Sequence, residues 1–389
     1  AGQTGGQGVS AYATRSRFVV SNYGMGGSLQ SGMAESRWGG PAAALLKWET
    51  TNQFDIGLDI AFLNNRVNLT VDAYYKKTKD LLLDKLIPMS SGFSRIQANY
   101  GNVTNKGLEI SGHFIPVKAR NFLWSIDANI SFNRNKVGGL DADQYSDVAW
   151  GIENMFLVRN GEPIGTLYGY VEDGFYDNEA EVRADPLYRN ETDSKVKSMV
   201  GEVKYKNLDD DPVIDNRDRQ IIGNTNPDYQ YGITNTLEWK NWTFSFFLQG
   251  TQGNDVLNVN LKKFDMASVD NMPYFIYNNR WTAENRANAK WPRANRTSTR
   301  SMKASDRYIE DGSYLRCKNV SLSYRFRHPM KFVESINLVA SVSNLFTISG
   351  YSWMDPDVNS FGSDPKRRGV DMASYPSART FNFGVQIGF

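Results

Sequence analysis

Apolar and polar side chains alternate with a period of two over long stretches of this chain. In the last segment Phe381, Phe383, Val385, Ile387 and Phe389 alternate with Thr380, Asn382, Gly384, Gln386 and Gly388. A strand here carries one apolar and one polar face. The same design recurs from Phe54 to Phe62, from Asn68 to Tyr75, from Leu108 to Phe114 and from Trp124 to Asn133. It returns from Tyr229 to Trp239, Trp242 to Leu248, Val320 to Phe326 and Ile336 to Val342. About nine or ten strands are predicted, each near the roughly 9–11 residues that a tilted membrane strand needs.

Two features separate a membrane barrel from a soluble sandwich. The polar faces hold mostly Ser, Thr, Asn, Asp, Gln and Gly, the mixture expected of a water-filled lumen rather than a Lys- and Glu-rich surface. The connections also alternate in length. Tight turns are expected at 64–66, 118–121, 240–241 and 328–335, with long connections after Thr78, Lys136, Leu257 and Gly350. Tight periplasmic turns and long external loops are the pattern of an outer-membrane barrel. Aromatic residues near strand ends, such as Trp48, Trp239, Trp242 and Tyr324, suit the two interfaces of a membrane.

Composition narrows the function. With 44 basic and 42 acidic side chains among 389 residues, the net charge of +2 gives no basic stripe for nucleic acid. No apolar run is long enough for a membrane helix, which leaves a barrel open. The lone Cys317 excludes an intramolecular disulfide and a thiolate-rich metal site, and is read as a packed thiol. Ala1 to Gly6 has neither a basic n-region nor an apolar h-region, so no signal peptide is expected there.

Several runs resemble the SusC/RagA-like TonB-dependent transporters of Bacteroidetes-type bacteria. They are Leu46–Thr51 (LKWETT), Asp72–Leu82 (DAYYKKTKDLL), Asn102–Glu109 (NVTNKGLE), Gly161–Tyr170 (GEPIGTLYGY), Asp311–Arg316 (DGSYLR), Ser343–Thr347 (SNLFT) and Tyr375–Phe381 (YPSARTF). The resemblance implies that residues 1–389 are the C-terminal part of an antiparallel up-and-down barrel of about 22 strands. The plug, the TonB box and the earlier strands are then expected outside this sequence. It further implies uptake of oligosaccharides or peptides across the cell outer membrane. The implied partners are the rest of the barrel and its plug, a SusD-like surface lipoprotein, the TonB complex and outer-membrane lipid.

One loop has candidate metal chemistry. In Asn207–Asp218 (NLDDDPVIDNRD), Asn207, Asp209, Asp211, the Val213 carbonyl and Asp218 fall at the ligand spacing of a calcium-binding loop. Asp215 could add a water-mediated contact. The sequence departs from the family pattern in its first residue and in Pro212, which replaces the glycine of the sharp turn. Ca²⁺ binding and a solvated acidic loop both stay open; no cofactor is required. The loop aromatics Trp150, Tyr168, Tyr170, Trp281, Trp291 and Trp353 are candidates to stack on substrate or to meet a lid protein. His113 and His328 lack the spacing of a metalloprotease, and no nucleophile motif accompanies them, so no enzyme is expected. Two other readings stay open on the residues alone: a soluble or surface-attached glycan-binding all-β module, and a passive porin.

Overall fold

A computed structural model describes residues 2–4, 18–25, 28–35, 43, 45–91, 93, 95–148, 152–209, 211–263, 271–294, 303–330 and 332–389. Nine long strands dominate it: β1 (Glu49–Phe62), β2 (Val67–Lys79), β3 (Asn102–Ala119), β4 (Phe122–Gly138), β5 (Tyr229–Trp239), β6 (Trp242–Gln252), β7 (Tyr314–Met330), β8 (Val333–Ser349) and β9 (Thr380–Gly388). Each pairs antiparallel with the next in chain order, and the short strand Gly2–Thr4 adds to the free side of β1, giving a ten-stranded meander. The all-β barrel architecture predicted from alternation is therefore what the chain adopts.

Register places like with like. Phe54 faces Tyr75, Val71 faces Ile110, Ile130 faces Tyr231, Ile233 faces Leu248, Phe246 faces Val320 and Val342 faces Phe381. All lie on one side of the sheet, so a slip of one residue would turn the whole apolar set to the other face. That side is open, with Phe54 at 68% and Phe383 at 84% exposure. An apolar surface of this extent is incompatible with a water-soluble module and fits hydrocarbon.

Aromatic and charged residues bound the band. At the tight-turn end Trp239, Trp242 and Tyr324 form a row, with the Trp242 and Tyr324 rings 4.6 Å apart. At the other end Phe132 and Tyr229 are 5.9 Å apart, and the Arg134–Asp228 ion pair sits just beyond. Ten residues of β5 separate the two rows, which at about 3.3 Å per residue and a tilt near 40° spans about 25 Å, the height of an apolar membrane band.

The opposite face is polar. Asp55, Asp72, Tyr74, Lys76, Glu109 and Asn133 line a cavity of about 520 Å³ on it. The Tyr74 ring lies over Gly107 on β3, where a Cβ would come within 2.2 Å of it, and its hydroxyl donates to Asn133 Oδ1 at 3.1 Å. Any larger residue at Gly107 would displace the ring.

The turns at one end are short, at 63–66, 120–121 and 240–241, and Met330 of β7 pairs with Val333 of β8 at the same end. At the other end the connections 80–101, 139–228, 253–313 and 350–379 are long, as expected. They are not structureless. Gln144–Val148, Ile152–Val158, Thr166–Gly169 and Gln220–Asn224 form a four-stranded sheet, and Asp255–Asn258 pairs with both Ile309–Asp311 and Val370–Asp371. Val148, Ile152, Phe156, Leu167, Leu257, Tyr308 and Val370 pack into one core drawn from three connections. Two short helices, Glu179–Ala184 and Asp193–Met199, are capped by the side chains of Asn178 and Thr192 and bury Val182, Val196 and Met199 against Tyr176 and Tyr188. The connections thus build a folded cap on the barrel.

The two faces should respond oppositely to charge. Val342→Arg, mid-band on the outward face, is expected to destabilise the folded barrel by about 2–4 kcal/mol, and Ser341→Arg, on the water-facing polar side, to cost less. Denaturant titration of the full-length protein in lipid vesicles measures both.

Candidate functional site

The cap and the barrel meet at Arg316 on β7, which is 1% exposed. Its Nε donates to Thr347 Oγ1 on β8 at 3.0 Å, its Nη1 donates to Ser377 Oγ at 3.2 Å, and its Nη2 donates to Asp355 Oδ1. Asp355 also accepts from the backbone amides of Asp357 and Ser377, each at 3.0 Å. Burial alone would raise the Asp355 pKa; the Ser377 and Asp357 amides, with the Ser377 hydroxyl and Arg316, outweigh it and hold the carboxyl below its ordinary value. Two motifs far apart in sequence, DGSYLR and YPSARTF, thereby close on one carboxylate. Nearby, the buried Tyr351 hydroxyl donates to Asp371 Oδ2 at 2.7 Å.

A second buried cation lies deeper in the cap. Arg219 is 8% exposed, with its guanidinium 4.9 Å from the Tyr168 ring centroid and 5.5 Å from that of Tyr170. Its Nη2 donates to the carbonyls of Asn154 at 2.6 Å and Tyr168 at 3.0 Å. Burial lowers its pKa.

This packing decides where the candidate aromatics stand. Tyr168, Tyr170 and Trp281 are buried, so their rings serve the interior of the cap and present no face to a ligand in this conformation. Aromatic content in a long connection could not distinguish a buried ring from a displayed one. Trp291 is half-buried against the main cap core, Trp353 is half-buried, and Trp150 lies outside the described residues. Apart from Tyr375, at 92% exposure, the most displayed rings of the long connections cluster on the short helix Tyr274–Asn279, with Tyr274 at 79% and Tyr277 at 53% exposure beside Phe275. Sequence reasoning missed them because a single helical turn has no readable period. The signal available was three aromatics within four residues behind Pro273.

The acidic loop closes on itself. Asp218, 1% exposed, accepts from the amides of Leu208 and Asp215, each at 2.8 Å. The Val213 amide donates to Asp211 at 2.8 Å, and Asn207 Nδ2 donates to the Asp211 carbonyl at 2.6 Å. The Arg217 guanidinium then pairs with Asp209 at 3.1 Å, Asp215 at 3.0 Å and Asp211. Hydrogen bonding to Asp215, then the charges of Asp209 and Asp211, raise the Arg217 pKa. Asn207 Oδ1 is buried without a hydrogen-bond partner. Among the described residues no group of three or more His, Cys, Asp or Glu side chains is arranged to hold a metal ion; Asp210 lies outside them. His113 sits on the polar face, with Nδ1 2.7 Å from Asp127 Oδ1.

Comparison with known proteins gives the setting. The family profile described as TonB dependent receptor-like, beta-barrel matches residues 10–345. TonB-dependent receptor P26 of Formosa agariphila is 33% identical over all of this chain and 39% of its own length. TonB-dependent receptor SusC of Bacteroides thetaiotaomicron is 29% identical over 88% of this chain and 32% of its own. The chain thus spans less than two fifths of the length of these curated relatives. Among solved structures, the RagAB peptide transporter superposes with a TM-score of 0.74 at 20% identity, covering all of this chain and 40% of that one.

The Arg316–Asp355 pair should behave as a buried ion pair. Arg316→Met leaves a buried carboxylate uncompensated and is expected to cost about 3–5 kcal/mol, read as faster hydrogen exchange across 350–379. Because the folded-state pKa of Asp355 is depressed, its stabilisation is complete above about pH 4 and is lost only as pH falls through the folded value. Protection in this segment, with exchange corrected for the intrinsic pH dependence of free amides, should therefore be unchanged from pH 7 to pH 5.

Proposed function

This chain belongs to the TonB-dependent receptor β-barrel family and forms part of an outer-membrane β-barrel, and from that premise we propose that it is the C-terminal segment of an energy-driven importer of oligosaccharides or peptides. The observation that carries the reading is a sheet with an outward apolar band, an inward polar wall and a folded cap over one end only. The polar wall of β1 to β5 offers Asp, Glu, Asn and Thr side chains to a hydrated solute moving along it. Rings at Tyr274 and Tyr277 give an exposed apolar surface at the cap, suited to a sugar face, a peptide side chain or a lid lipoprotein. Transport needs no covalent step, and the chain is proposed to carry no catalysis of its own.

The remaining strands and plug are proposed to lie outside these residues, closing the sheet edges and linking to TonB. In full-length protein in its own outer membrane, uptake from oligosaccharide and peptide mixtures should stop when the proton gradient is collapsed. Uptake that continues without the gradient would identify a passive pore.

The acidic loop is proposed as a Ca²⁺ site that competes with Arg217. Asn207 Oδ1, Asp209, Asp211 and the Val213 carbonyl would hold the ion; the unpartnered Asn207 oxygen supports this, while Asp218 is committed to two backbone amides. Bound Ca²⁺ would supply a fixed positive centre that stiffens the loop. Removing the competing guanidinium by Arg217→Gln is expected to tighten Ca²⁺ binding by about tenfold or more, one step of roughly 1.4 kcal/mol. Calorimetric titration of the full-length protein measures this, and no binding by either form up to about 1 mM would remove the metal from the account.

A further inference from the structure

The outward face of β2 to β5 is not uniformly ridged. One row across the sheet runs Leu69, Gly112, Ala128 and Ile233 in register, so its two central positions are a glycine and an alanine. Large residues stand on both sides: Phe114 on the tight-turn side, its ring folded over Gly112 where a Cβ would come within 2.6 Å of it, and Ile110, Ile130 and Tyr231 on the cap side, which leaves Ala128 as the open floor. The small row and its walls enclose an apolar groove of about 400 Å³ that reaches up to Tyr229. It lies inside the apolar band and is continuous with the lipid-facing surface, so hydrocarbon fills it.

The rim above the groove is basic. Following the same alternation beyond Leu108 and Phe132, the next outward positions are Lys106 on β3 and Arg134 on β4, which face one another. Lys77 and Lys136 follow on the same face, both opposite Thr104. Arg134 is paired with Asp228 at 2.6 Å, and Lys106 Nζ lies 5.6 Å from the Tyr75 ring centroid. Among the described residues no carboxylate pairs with Lys77, Lys106 or Lys136. Gly112 is six residues from Lys106 along β3, or about 15 Å in depth for a tilted strand, close to the thickness of one leaflet.

We infer that β2 to β5 form a site for an anionic outer-leaflet lipid, with one acyl chain seated over Ala128 between the Phe114 ring and Ile130 and a phosphate-bearing headgroup held at Lys77, Lys106 and Lys136. The inference rests on the membrane placement of the sheet and is independent of what the barrel transports. Each lysine near the headgroup plane attracts an anionic lipid. The groove adds chain contacts that a flush surface lacks, because ridge side chains touch the chain from two sides. Zwitterionic lipids would enter the same groove but gain nothing at the rim.

The test uses the full-length protein extracted in mild detergent and native mass spectrometry with added dioleoyl phosphatidic acid or dioleoyl phosphatidylcholine. One phosphatidic acid molecule is expected to be retained in preference to phosphatidylcholine. Ala128→Phe, which fills the groove floor, should reduce that retention by about tenfold. Replacing Lys77, Lys106 and Lys136 by Gln should reduce it by about tenfold or more. Equal retention of the two lipids by the unaltered protein overturns the inference without any variant. Unchanged phosphatidic acid retention in either variant, with folding verified by heat-dependent gel migration, overturns it as well.

Discussion

Every backbone N–H and C=O that faces hydrocarbon must find a partner in the protein, and the rest of this structure follows from that requirement. Between the aromatic rows the chain pairs strand to strand in order, broken only by β-bulges such as those at Lys318 on β7 and beyond Phe114 on β3, because a longer excursion there would strand polar groups in lipid. The same requirement acts at the sheet edges. β9 pairs with β8 on one side only among the described residues, so the proposed remainder of the barrel has to supply the other ladder.

Where the chain leaves lipid, the constraint relaxes and a different physics takes over. The cap is stabilised by burial in the ordinary sense, through a core assembled from three connections and through side chains such as Arg316 and Arg219 that would be prohibitive in hydrocarbon. Barrel and cap are therefore two solvent regimes in one polypeptide. The Arg316–Asp355 pair sits at their boundary and fixes the last connection to β7 and β8. Any movement of the cap has to work against that boundary or leave it intact.

The difference in physics is also why the barrel could be read from the sequence and the cap could not. Alternation from Thr380 to Phe389 is unbroken, and one face in lipid against one in water enforces it at nearly every position. Asn235 is the informative break: it stands on the outward face because the Trp124 indole N–H, also outward, donates to its Oδ1 at 3.2 Å. Cap strands such as Thr166–Gly169 are too short to show a period, and their partners are distant in sequence. The candidate rings Tyr168, Tyr170 and Trp281 carried a sound chemical argument but no information on burial. The acidic loop was legible as a cluster of oxygens; that its neighbour Arg217 turns back into it was not, since spacing alone does not give a side chain's direction.

The nine long strands stand in a membrane with one face in lipid and the other in water. Single cysteines placed in turn at Val320, Ser321, Leu322 and Ser323, in cysteine-free full-length protein in its own outer membrane, can be labelled with a small water-soluble maleimide. Labelling should alternate, with Ser321 and Ser323 labelled and Val320 and Leu322 protected. Labelling at Val320 and Leu322 as ready as at their neighbours would contradict this placement.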